Sequence, residues 1–132
     1  MFVLDSHCDT PSQILRLRDL SLDNDHAHVD FPKLSRGGVD GAFFALYVPA
    51  SLEGEQAYEY ASRLMNCVNM TLAENPDKAR LTVDGDQAAV NKEAGLFSVF
   101  MGLENGSPIG DSVDRLRYFY DAGVRYVTLC HS

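Results

Sequence analysis

The chain has 132 residues, 45% of them hydrophobic, with 11 basic side chains against 19 acidic ones. That apolar content excludes a disordered chain, and no run of about 18 apolar residues is present to cross a membrane as a helix. A net charge of -8 argues against nucleic acid as the main partner, because phosphate binding needs a basic surface.

In chain order, Phe2-Val3-Leu4 opens as a strand. The stretch from Ser12 to Arg36 is less regular, with a turn-rich middle (Asp23-Asn24-Asp25) and a brief helical turn near Lys33 to Ser35. Val39 to Val48 reads as a second strand, introduced by Gly37-Gly38 and stopped by Pro49. After Ser51, a candidate N-cap, Ala57, Ala61, Leu64, Met65, Val68 and Leu72 recur at helical spacing until Asn75-Pro76 ends the segment. Arg80 to Val83 is a candidate short strand. Asp84 with Gln87 three positions on makes a capping-box-like start to a helix that stops at Gly95. Leu96 to Leu103 is a further strand. Asp111 or Ser112 caps a helix through Val113, Leu116, Phe119 and Tyr120, closed by Gly123, and Val124 to Cys130 is the last strand.

Short apolar runs alternating with longer helical periods are the signature of βαβ units and a parallel sheet. Near-continuous apolar strands suit a sheet covered on both faces. The chain has no internal repeat, low-complexity tract or linker, so it reads as one domain or a piece of one. A piece is expected, because His131-Ser132 follows a strand directly, with no helix to cover it.

Three places carry metal- or proton-competent side chains at strand ends. In Asp5-Ser6-His7-Cys8-Asp9 an extended backbone turns Asp5, His7 and Asp9 to one face and Leu4, Ser6 and Cys8 to the other. An imidazole and a carboxylate two residues apart can share one zinc-like ion; alone, the pattern more often describes a histidine hydrogen-bonded to an aspartate at a strand end. Glu104 follows an apolar strand between Gly102 and Gly106. It is either a solvated loop carboxylate or one aimed into the mouth of the sheet, where two oxygens could bridge two metals. His131 follows the last strand, at the same level of the fold. Ligand and metal sites of parallel α/β folds lie at that level, so the joint occurrence favours function over three separate structural roles.

Other candidates are weaker. His26 and His28 lie in a stretch rich in Asp and Asn, where solvent exposure is the default. Cys8 and Cys130 have no adjacent base, which disfavours a cysteine nucleophile. Gly102, Gly106 and Gly110 make no phosphate-binding pattern. Cys8, Cys67 and Cys130 are too few and scattered for a disulfide framework, and no basic segment precedes an apolar stretch at the start, so a reducing, cytoplasmic setting is expected.

The runs DSHCDTP (5–11), FPKLSRGGVDGAFFALYVP (31–49), MGLENGSPIG (101–110) and AGVRYVTLCHS (122–132) resemble the renal, or membrane, dipeptidase family of zinc metallopeptidases within the amidohydrolase superfamily. The resemblance implies an α/β fold, the N-terminal half (about four βα units) of a (β/α)8 barrel, and a two-zinc centre that hydrolyses dipeptides. It places His7 and Asp9 on the first zinc, Glu104 as the bridge between both ions, and His131 as the histidine that contacts substrate and polarises the scissile carbonyl. Asp5 is expected beneath His7. The family's two further zinc-binding histidines and its proton-transferring aspartate come from later strands and find no match here. A barrel of this kind needs about 250 residues, so the 132 residues alone are expected to be inactive, to bind metal weakly, and to self-associate through open sheet edges. Two rivals remain open: a non-catalytic half barrel that binds or regulates, and a related hydrolase acting on another amide or a lactam.

Overall fold

The computed structural model describes residues 1–16 and 18–131. Along them run β1 (Leu4–Cys8), α1 (Thr10–Ile14), α2 (Phe31–Arg36), β2 (Gly41–Tyr47), α3 (Gly54–Glu74), β3 (Ala79–Leu81), α4 (Gly85–Glu93), β4 (Phe97–Glu104), α5 (Val113–Asp121) and β5 (Val124–Thr128). Every pairing is parallel. β1 joins β2 and β2 joins β4. On the far side of β4, the short β3 pairs with its first residues and β5 with its last. Four strands, β1, β2, β4 and β5, therefore carry their C-terminal ends to one rim.

Alternation along the strands sorts their side chains. Ala42, Phe44, Leu46 and Val48 from β2 and its end, with Val99, Met101 and Leu103 from β4, face the helices and are fully or almost fully buried. They meet the stripe of α3 formed by Ala57, Ala61, Leu64, Met65, Val68 and Leu72, with Phe119 of α5 closing the cluster. The opposite face carries the rings of Phe43, Phe100 and Tyr126, with Phe43 4.9 Å from Phe100 and 5.2 Å from Tyr126 between centroids.

Several elements differ from the sequence reading. β1 starts at Leu4 rather than Phe2, and its first four residues are exposed, because an edge strand has a partner on one side only. α3 starts at Gly54 after Glu53, so Ser51 does not cap it. Ser112, not Asp111, caps α5 by accepting a hydrogen bond from the Arg115 N–H. α1 is an unforeseen single turn, entered through Pro11. The start of α4 is close to the expected box: Asp84 accepts from the Gln87 N–H at 2.8 Å, while Gln87 reaches back to the Val83 N–H at 3.1 Å. β3 is present, as three residues.

Two ladders slip by one residue. Between β1 and β2, Asp5 pairs with Ala42 and Cys8 with Phe44, so β1 spends an extra residue. Between β4 and β5, Met101 pairs with Val124 and Gly102 with Tyr126, so β5 does the same. Bulges re-aim side chains and gather beside functional sites. These two flank the regular β2–β4 ladder on either side and sit just below the rim.

Candidate metal centre

The bulge in β1 governs what the Asp5–Asp9 segment presents. The carboxylate of Asp5 accepts from the His7 backbone N–H at 3.0 Å, so it stabilises the irregular turn of the strand and does not sit beneath the imidazole as expected. Cys8 turns inward, its thiol 2.8 Å from the Thr10 hydroxyl. Burial pushes that thiol's pKa up, against the opposing hydrogen bonds from Thr10, which leaves it a poor nucleophile. Asp9 has left the strand and stands at the start of α1, yet its Oδ1 lies 3.4 Å from His7 Nε2.

Glu104 arrives from the end of β4. Its backbone carbonyl accepts from the Val48 N–H at 3.0 Å, which ties the ends of β2 and β4 together. The chain then turns through Asn105 at a φ of 86°, a left-handed conformation that asparagine tolerates better than most residues. The Asn105 side chain is buried; it donates to the Val48 carbonyl at 2.9 Å and accepts from Ser107. A Cβ on Gly106 would stand 2.7 Å from the Leu129 carbonyl oxygen, so this turn packs directly on the segment that leads to His131.

Three of the sequence-predicted residues meet at the rim. His7 Nε2 is 3.1 Å from Glu104 Oε2 and 3.4 Å from Asp9 Oδ1. The donor atoms of His7, Asp9 and Glu104 lie within 4.8 Å of one another, and no other such group of three occurs among the described residues. His131 approaches the same carboxylate from the other side, its Nε2 3.5 Å from Glu104 Oε1, with its ring 5.1 Å from that of Tyr47. His26 and His28 are exposed in their loop, as expected, and take no part in the cluster.

The donor set fits a divalent ion on one observation. Among the described residues Glu104 Oε2 is removed from solvent and accepts no hydrogen bond, its contact being the 3.1 Å ion-pair approach of His7 Nε2. A buried carboxylate oxygen that accepts no hydrogen bond is costly. An imidazole nitrogen and two carboxylates facing a common point form a ligand set suited to zinc.

Sequence reasoning missed Tyr126. Its hydroxyl lies 3.0 Å from His7 Nδ1, and the two rings stack at 6.5 Å with 24° between planes. Burial raises the pKa of this phenol, and the charges of Glu104 and Asp9 raise it further, so it stays neutral. The only advance signal was a tyrosine in a strand opposite Gly102, whose partnership depends on a bulge that no pattern announces. Two hollows of about 400 and 420 Å³ lie elsewhere, one lined in part by Asp40, Lys78 and Lys92 and the other along α4; neither holds the cluster.

Parallel βα units with metal-competent residues gathered at the C-terminal rim are the architecture of part of a (β/α)8 barrel with a candidate metal centre. The family model of membrane dipeptidases, peptidase family M19, matches residues 1–132, and the chain belongs to that family. Dipeptidase ataJ of Aspergillus terreus is 28% identical over 144 residues, covering 98% of this chain and 35% of that protein. Among solved structures, the metallo peptidase dipeptidase AC superposes with a TM-score of 0.89 at 24% identity, over 98% of this chain and 43% of its own. A metallo peptidase from Rhodobacter sphaeroides, liganded with a phosphinate mimic of the dipeptide L-Ala-D-Ala, gives 0.87 at 22% identity, over 96% and 44%. The chain thus spans less than half of each of these relatives, and its fold is part of the (β/α)8 barrel of the M19 dipeptidases.

Proposed function

We propose that this chain supplies the first-strand half of a zinc-dependent dipeptidase centre. His7 and Asp9 would hold one zinc and Glu104 would bridge it to a second, while His131 contacts the dipeptide. Membership of the dipeptidase family supports the reaction class, and the convergence of His7, Asp9 and Glu104 on the buried Glu104 oxygen, which accepts no hydrogen bond among the described residues, carries the ligand assignment. The relative liganded with a dipeptide mimic supports a dipeptide substrate.

Bound zinc would supply a Lewis acid and water acidic enough to attack near neutral pH. The rest is the work of this chain. Glu104, held from behind by Asn105 and the Val48 backbone, keeps its carboxylate at the rim. His131, poised against Tyr47 and Glu104, donates to the peptide carbonyl oxygen as negative charge grows there. The described residues bring three metal donors together, whereas two closed zinc sites need about four each. The 132 residues alone therefore bind zinc weakly and turn over no dipeptide; hydrolysis is the work of the complete barrel.

Calorimetric titration with zinc, paired with an assay of dipeptide hydrolysis, tests this. One weak site, lost in Glu104→Gln, and no hydrolysis are expected. Two tight sites, or zinc binding indifferent to Glu104→Gln, would overturn the assignment.

A further inference from the structure

We infer that Tyr126 is a positioning residue for the metal-facing imidazole: its hydroxyl accepts the Nδ1–H of His7 and so leaves Nε2 directed at Asp9 and Glu104. The inference rests on the metal reading above and adds what holds its histidine.

Three observations carry it. The phenol oxygen is 3.0 Å from Nδ1, while Nε2 on the opposite edge of the ring is the atom 3.1 and 3.4 Å from the two carboxylates. A ligating imidazole nitrogen must be bare, so the ring's proton belongs on the other nitrogen, where Tyr126 is the acceptor. The tyrosine ring is itself built into place: a Cβ on Gly102 would fall 2.1 Å from Tyr126 Cζ and 2.4 Å from Cε1. Only glycine leaves that slot open. The one-residue slip in the β4–β5 ladder sets Tyr126 opposite Gly102, and Phe43 braces the ring from β2. A glycine in the middle of an otherwise bulky apolar strand thus has a specific use, which is to seat the residue that orients His7.

Tyr126→Phe keeps the ring and removes one oxygen. Expected are a 10- to 100-fold fall in zinc affinity, the range typical when the partner of a ligating histidine is lost, and an unchanged thermal midpoint without zinc. In nitrogen-15 spectra of the zinc-free protein, the signature of a hydrogen bond at His7 Nδ1 should be present in the wild type and lost in the variant. Gly102→Ala, which expels the ring from its slot, should lose the same signal by another route. An unchanged His7 spectrum in Tyr126→Phe overturns the inference, and so does a lost signal with zinc affinity intact. If the wild type takes up no zinc, the metal reading fails by itself, and the zinc-free spectrum still decides whether Tyr126 holds His7.

Discussion

At the scale of single residues, the site was legible where side-chain chemistry alone was enough. An imidazole, two carboxylates and a second imidazole at the ends of three strands pointed to one rim, and His7, Asp9, Glu104 and His131 do meet there. Asp5 was misread because strict alternation ignores the bulge: the extra residue in β1 frees the His7 N–H, and Asp5 takes it. Tyr126 was invisible for the same reason on the opposite flank. The role assigned to His131 predicts a specific kinetic outcome. In a family enzyme carrying this segment, His131→Ala should lower kcat by about 10²- to 10³-fold, the cost of one oxyanion donor, with zinc content unchanged. Metal analysis alongside steady-state kinetics reads both, and wild-type turnover in the variant would remove His131 from the reaction.

Elements were easiest to read where the hydrophobic period ran longest, even where the expected cap was wrong. All six apolar positions that defined α3 in sequence are buried in the structure, since a stripe repeating at 3.6 residues has one way to meet a sheet. Edges were harder. β1 is held at its start by Asp40, which accepts from the Val3 N–H at 2.6 Å and from Lys92 Nζ at 2.7 Å, while Lys92 also donates to the Met1 carbonyl. The Lys92 hydrogen bond, with that from Val3, holds the Asp40 carboxyl below its ordinary value of 3.8. A carboxyl lowered in the folded state stabilises it above the unfolded pKa, and the contribution fades as pH falls through the lowered native value. Stability should therefore drop on acidification below about pH 4, and Asp40→Asn should flatten that part of the curve and weaken protection of the Val3 amide from hydrogen exchange. An unaltered acid limb in Asp40→Asn would show that this clamp contributes nothing to the pH dependence.

For the molecule as a whole, parallel strands separated by helical crossovers were readable from the alternation of apolar runs, whereas the sheet order, with β4 between β2 and both β3 and β5, was not. Exposure could not be read either, because burial on both faces depends on neighbours that the pattern does not encode. β1 and β5 each lack a partner on their outer side among the described residues, and Val3, Leu4 and Leu129 are exposed beside them. Unpaired edges with apolar neighbours invite pairing between copies, so light scattering should give a mass that rises with concentration; a monomer at every concentration would show that these edges are inert. The metal assignment itself is open to a direct view. Crystals grown with zinc and measured at the zinc absorption edge should place the strongest anomalous peak between His7 Nε2 and the carboxylates of Asp9 and Glu104, at about 2.0–2.2 Å from each ligand atom. A peak at His26 and His28 instead, with none beside His7, would refute the centre described here.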